Sequence, residues 1–344
     1  MLDCYSYLLN DACYCPVQKA SFNVITLPLK LNIVTPKNKI KGTYSGSSLS
    51  NMFRNKLKSE GISTLLPISA TIQSRGRILD LASPVVMGIL NVTPDSFYTK
   101  TQETDELLRI AEKMLNEGAA ILDIGGASTK PGQSLIGEEE ELQRIIPAIK
   151  VIQKYFPDAW LSIDTYNARV AEEAVYAGVS IVNDVSGGRF DKNMLATVAA
   201  LKVPYIGMHI QGTPETMQNE PSYNNAVSEV RDYLRTLADE CTAAGITDII
   251  VDQGYGFGKT LEHNFQLLKS LHTFRMLGRP ILAGISRKSM VCKALKVNPE
   301  NALNGTTALH LLALQQGANI LRVHDVKEAM QVIKLVALYE QTTI

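Results

Sequence analysis

The chain has 344 residues, 45% of them hydrophobic and 20% charged, and its 34 basic and 34 acidic side chains cancel. That balance is ordinary for a globular protein, and a net charge of zero supplies no whole-chain field to recruit nucleic acid or an anionic membrane. No apolar run approaches the roughly 18 residues of a membrane helix, and the first residues lack the basic region and apolar core of a secretory signal.

Residues 1–70 carry eight Lys/Arg against Asp3, Asp11 and Glu60, and show no sustained hydrophobic period. Residues 1–68 are therefore expected to form a poorly ordered extension ahead of a folded domain at 69–344. Five cysteines (Cys4, Cys13, Cys15, Cys241 and Cys292) are odd in number and scattered, which points to free thiols in the cytoplasm.

Ile72–Leu81 reads as a β-hairpin with its turn at Ser74–Gly76. Eight units follow, each a short apolar run ending in a polar side chain. The runs are Val85–Leu90 before Asn91, Ala119–Leu122 before Asp123, Trp160–Ile163 before Asp164 and Val179–Val182 before Asn183. Next come Pro204–Met208 before His209, Asp248–Val251 before Asp252, Ile281–Ile285 before Ser286 and Asn319–Leu321 before Arg322. Helix-patterned stretches separate them: Glu103–Asn116, Glu138–Tyr155, Val170–Tyr176, Tyr223–Ala244 and Leu303–Gln316, four of which stop at Gly118, Gly178, Gly245 and Gly317. Eight β-α units predict a closed (β/α)8 TIM barrel, of class α/β, with an N-terminal hairpin that could close its lower end. Chemistry in this architecture sits at the carboxyl ends of the strands, so the eight terminal residues form a first roster of candidates.

Asp252–Thr260 looks like a phosphate-binding loop, but counting back from Gly258 puts the required first glycine on Gln253, so the Walker spacing fails. The glycines instead suit a tight turn that lets Asp252 face a ligand. Ser286–Ser289 places Lys288 where late barrel strands commonly contact phosphate. Arg322 and His324 alternate onto one face, with Val323 on the other, and a guanidinium binds phosphate oxygens bidentately. Asp123, Asp164, Asn183 and Asp252 add acceptors and one amide, an inventory matched to a flat, nitrogen-rich heterocycle. No zinc-spaced set and no serine nucleophile elbow occur. These residues together imply an enzyme for an anionic, phosphorylated heterocycle.

The same segments resemble the dihydropteroate synthase family. The resemblance runs through Met87–Phe97, Asp123–Gly132, Ser162–Thr165, Asn183–Gly188, Met208–Gln218, Asp252–Asn264, Ser286–Ser289 and Arg322–Val326, in the family's order, and covers about Ala70 to Ile344. It implies condensation of 6-hydroxymethyl-7,8-dihydropterin diphosphate with p-aminobenzoate in folate synthesis, with Mg2+ and in a homodimer. By motif, Asn91 would hold Mg2+. Asp164, Asn183, Asp252 and Lys288 would hold the pterin, with Met208, Phe257 and Val323 completing its surroundings. Thr129, Arg322 and His324 would handle the diphosphate, and Ser286 and Pro131 would border the p-aminobenzoate pocket. Asp164, Asp252, Lys288 and Arg322 would carry the chemistry. The chain departs from the family pattern at Tyr98–Lys100, at Lys130 in place of arginine and at Gln253 in place of proline. The alternatives are a methyltetrahydrofolate–corrinoid methyltransferase barrel, which needs neither the Lys288 motif nor the Arg322–His324 pair, and a catalytically silent pterin binder, favoured only if the altered first loop at Tyr98–Lys100 prevents closure.

Overall fold

The computed structural model describes residues 71–92, 101–126, 136–218 and 220–342, together with an antiparallel pair, Ile33–Val34 with Lys39–Ile40. Met1–Thr64 and Leu65–Ile344 group as separate units. The expected character of the extension, Thr129, Pro131 and the departures at Tyr98–Lys100 and Lys130 lie outside the described residues.

Eight parallel strands close into a barrel: β1 Val85–Asn91, β2 Ile121–Gly125, β3 Trp160–Asp164, β4 Ile181–Asp184, β5 Tyr205–Met208, β6 Ile249–Asp252, β7 Ile281–Ala283 and β8 Ile320–Val323. Each pairs with its sequence neighbour, and β8 pairs with β1 to close the ring, Arg322 standing opposite Met87. Around it run α1 Thr101–Glu117, α2 Glu138–Tyr155, α3 Ala168–Ala177, α4 Met194–Leu201, α5 Ala226–Ala244, α6 Leu261–Lys269, α7 Ser289–Leu295, α8 Leu303–Gln315 and α9 Val326–Gln341. Four of the helices end at the expected glycines, Gly118, Gly178, Gly245 and Gly317, all with positive φ. Begun by an Asn225 side-chain cap and by a Thr260–His263 capping box, α5 and α6 have their first N–H groups satisfied.

Strand alternation sorts side chains into two packed layers. Met87, Ile121, Trp160, Ile181, Ile206, Ile250, Leu282 and Ile320 point inward and fill the lower barrel. The opposite parity, including Val86, Leu122, Leu161, Val182, Tyr205, Val251 and Leu321, packs against the helices in the larger core. The hairpin, Thr71–Ser74 with Arg77–Asp80, supplies Ile72 to the inner cluster, and Leu81 just after it joins the same cluster, so that the base is plugged. Gln73 N–H donates to Asp248 Oδ2 at 2.7 Å, and Arg77 lies 5.0 Å over the Trp160 ring while donating to Ser180 Oγ at 3.1 Å.

Candidate active site

Two residues above the apolar layer, the same inward parity changes to polar side chains. Ile121 is followed by Asp123, Trp160 by Ser162 and Asp164, Ile181 by Asn183, Ile250 by Asp252, and Ile320 by Arg322. All but Arg322 are buried, and its side chain is only 18% exposed. Charged groups so deep require partners, and the partners are each other. Arg322 donates Nε to Asp123 Oδ2 and Nη2 to Asp164 Oδ2, both at 2.6 Å, and Asn183 Nδ2 donates to the same Asp123 oxygen at 3.0 Å. Asp123 Oδ1, Asp164 Oδ1 and Ser162 Oγ are buried with no partner. Buried oxygens without a donor are costly, so the layer is built to receive N–H groups.

Burial pushes the Asp164 carboxyl up to about 7, against the pull of Arg322 and with Asp123 adding to the rise. Burial also opposes the Arg322 charge, but Asp123 and Asp164 more than offset it and its pKa is raised.

The opposite wall is built by Asp252, Lys288 and the turn between β6 and α6. Asp252 Oδ1 accepts from Gly254 N–H at 2.8 Å, and burial raises this carboxyl while Lys288 lowers it. Lys288 donates Nζ to Tyr255 O at 2.6 Å and stands 4.6 Å over the Phe257 ring. Burial pushes its ammonium down to about 8, against the opposing effect of Asp252. Both groups converge on the bare backbone of Gly284, where a methyl group would stand 3.5 Å from Lys288 Nζ and 3.8 Å from Asp252 Oδ2. Arg287, at φ 53°, is turned away and grips Asp325 with two 2.8 Å hydrogen bonds. Its neighbour Lys288 faces the pocket.

Met208 and Phe257 join Tyr166, Val185 and Met217 in a small apolar cluster, which gives a ring system a surface to lie on. Ser286 is buried and pairs with His324 at the rim, Oγ to Nδ1 at 3.1 Å, while accepting His324 N–H at 3.2 Å. Asn91 ends β1 exposed. The structure thus brings Asp164, Asn183, Asp252, Lys288 and Arg322 together.

Three placements differ from the sequence reading. Asp123 is not a strand end: β2 continues to Gly125, and Asp123 holds two other candidates from mid-strand. The Val323 side chain packs in the core between barrel and helices, so its backbone alone is available to the pocket. His209 has outward parity, buried with its ring edge-on to Tyr233 at 4.8 Å. Inward-facing Met208 was the available signal, because its successor must turn out. Gln253 is likewise outward and fully buried, with both amide atoms unpartnered.

Comparison with known proteins places the fold. Residues 87–324 fit the family model for pterin binding enzymes. The dihydropteroate synthase of Haemophilus influenzae is 42% identical over 268 residues, covering 77% of this chain and 97% of that protein. The chain belongs to the dihydropteroate synthase family of pterin-binding enzymes. Among solved members, the Yersinia pestis dihydropteroate synthase, in a sulfonamide drug complex, superposes with a TM-score of 0.75 at 40% identity, covering 79% of this chain and all of that one. The Xanthomonas albilineans dihydropteroate synthase, in complex with 7,8-dihydropteroate, gives 0.71 at 35% identity, covering 80% and 100%. The closed barrel expected from the eight runs is the fold these synthases share.

Proposed function

We propose that this barrel condenses 6-hydroxymethyl-7,8-dihydropterin diphosphate with p-aminobenzoate, giving 7,8-dihydropteroate and diphosphate for tetrahydrofolate synthesis. Family membership supports the reaction, and the unpartnered oxygens of Asp123 and Asp164 carry the assignment of the pocket. A pterin edge presents several N–H donors, and these buried oxygens are acceptors that require them.

In this reading Asp164, Asn183 and Asp252 receive the pterin edge, and Phe257 and Met208 back the ring. Positive charge develops at the methylene as diphosphate departs. Asp252 and Asp164 stabilise that charge, and Lys288 and Arg322 stabilise the leaving anion. An aromatic amine is nucleophilic without a strong base, so Ser286 and Pro131 have to position it rather than activate it. Thr129 and His324 assist the diphosphate.

Among the described residues, no cluster of three His, Cys, Asp or Glu is placed to hold a metal. Mg2+ commonly keeps several waters and takes its remaining ligands from one protein oxygen and substrate phosphate, a donor set that exposed Asn91 fits. When bound, Mg2+ would offset diphosphate charge beside Asn91. We place the enzyme in the cytoplasm, supported by free Cys241 and Cys292. A homodimer is supported by exposed Leu311 and Leu312 of α8 and Leu335, Leu338 and Tyr339 of the adjoining α9.

Product formation from the two substrates, with and without Mg2+, tests this function in the parent chain, Asn91→Ala and Lys288→Ala. Mg2+-stimulated turnover in the parent, loss of that stimulation in N91A and strongly reduced turnover in K288A are expected. Parent-like behaviour of both variants would overturn the residue assignments, and an inactive parent would overturn the reaction.

A further inference from the structure

The glycine-rich turn ends in Lys259, which the phosphate-loop comparison would aim at a ligand. The structure turns it inward. Its Nζ is buried among four acceptors: His209 Nδ1 at 2.9 Å, Phe257 O at 2.9 Å, Gly254 O at 3.0 Å and His209 O at 3.2 Å. Burial and the neighbouring Lys259 charge push the His209 imidazole down to about 3. The ring is therefore neutral, with Nδ1 as the acceptor and the proton on Nε2. A protonated amine offers three N–H donors, which match the three shortest of these contacts. Burial draws the lysine well below its usual pKa, while Asp252 opposes that shift and Lys288 adds to it. Three carbonyl oxygens gathered at one point need a shared N–H donor among them, and the Lys259 amine is that donor.

Two loops meet at this point, one following β5 and one following β6, and they meet without slack. A methyl group on Gly254 would stand 2.0 Å from His209 O, and one on Gly258 would stand 2.4 Å from Gln211 O. The Tyr223 hydroxyl donates to Gly258 O at 2.7 Å, and Gln218 Nε2 to Gly256 O at 2.9 Å. The clamped segment is the one that builds the pocket wall. Gly254 N–H aims Asp252, Tyr255 O receives Lys288, and the Phe257 ring lies under Lys288. Lys259 grips the carbonyls at both ends of that segment.

We propose that Lys259 is a positioning residue for the pterin: by stapling Gly254 and Phe257 to His209, it holds Asp252, Lys288 and the Phe257 ring in the geometry that receives the heterocycle. The proposal rests on the pterin reading above. It predicts a selective effect, because the amine pocket is bordered by other segments.

The test uses the full chain and its Lys259→Met variant, which keeps the length of the side chain and removes the donors. Equilibrium binding of 6-hydroxymethylpterin, which lacks a leaving group, is measured beside the KM for p-aminobenzoate. At a temperature where both proteins are folded, K259M is expected to bind the pterin at least tenfold more weakly, with the p-aminobenzoate KM within threefold of the parent. Arg77→Ala, at the remote hairpin, serves as a stability control and is expected to keep parent pterin affinity. Unchanged pterin affinity in K259M, equal losses for both ligands, or an R77A loss as large as that of K259M would overturn the staple. Should K259M fail to fold, His209→Ala removes one of the four acceptors and is expected to weaken pterin binding about threefold; parent affinity there would overturn it. A parent chain that binds no pterin would instead overturn the functional reading, and the staple with it.

Discussion

Arg322 and Asp164 are joined by a 2.6 Å hydrogen bond, Arg322 Nη2 donating to Asp164 Oδ2. With its other arm on Asp123, the guanidinium neutralises two buried carboxylates. In the proposed reaction, a pterin edge bound at Asp164 would take over part of this charge-assisted pairing, leaving Arg322 to face the diphosphate.

Removing that guanidinium leaves two buried carboxylates without their cation. Arg322→Ala is expected to destabilise the free protein by about 3 kcal/mol at pH 8, and by less at pH 6, where Asp164 takes up a proton. Urea unfolding at the two pH values measures the difference; equal losses would show that Asp164 does not take up its proton between them, and no loss at either pH would show that the fork does not stabilise the protein. Turnover should fall about a hundredfold or more in the same variant.

The Asp164 carboxyl gives a stability profile with a definite sign. Its folded pKa of about 7 lies above the ordinary 3.8. Between those values the native state keeps a proton that the unfolded chain has released, so stability falls as pH rises through the window. Asp164→Asn lacks this titration. The Tm of the parent minus that of D164N should therefore decrease from pH 5 to pH 8, and a constant difference would contradict the assignment.

For Lys288, burial places the loss of the proton near pH 8. The neutral amine no longer opposes diphosphate charge, so kcat/KM should decline on the basic side with a pKa near that value. Lys288→Met should lack this limb and run about a hundredfold or more slower. Retention of the limb in K288M would assign it to another group.

Arg77 tests the separation of stability from chemistry. It joins the hairpin to the barrel floor through Trp160, Ser180 Oγ and the Asp158 carbonyl. Arg77→Ala is expected to cost about 1–2 kcal/mol, lowering the Tm by several degrees in a domain of this size, with kcat unchanged. A matching loss of kcat would place the hairpin in the catalytic machinery.

Much of this site was legible because strand alternation is strict. Ile250 and Asp252 share a parity, as do Ile320 and Arg322, so an apolar floor under a polar ring follows from the order of residues alone. Less could be read where several partners compete. Nothing in the spacing says which of three acids Arg322 reaches, or that Asp123 is the one holding both Arg322 and Asn183. Lys259 escaped for a different reason: its direction is set by three positive-φ glycines around it, Gly254, Gly256 and Gly258. A local Gly-Lys-Thr pattern does not encode that path.

The most direct test of the account is a quantitative turnover experiment on the full chain, measuring 7,8-dihydropteroate and diphosphate from pterin diphosphate and p-aminobenzoate. The account predicts sustained turnover with the two products released in equal amounts. Tight pterin binding without formation of either product would contradict it and mark the barrel as a silent pterin binder.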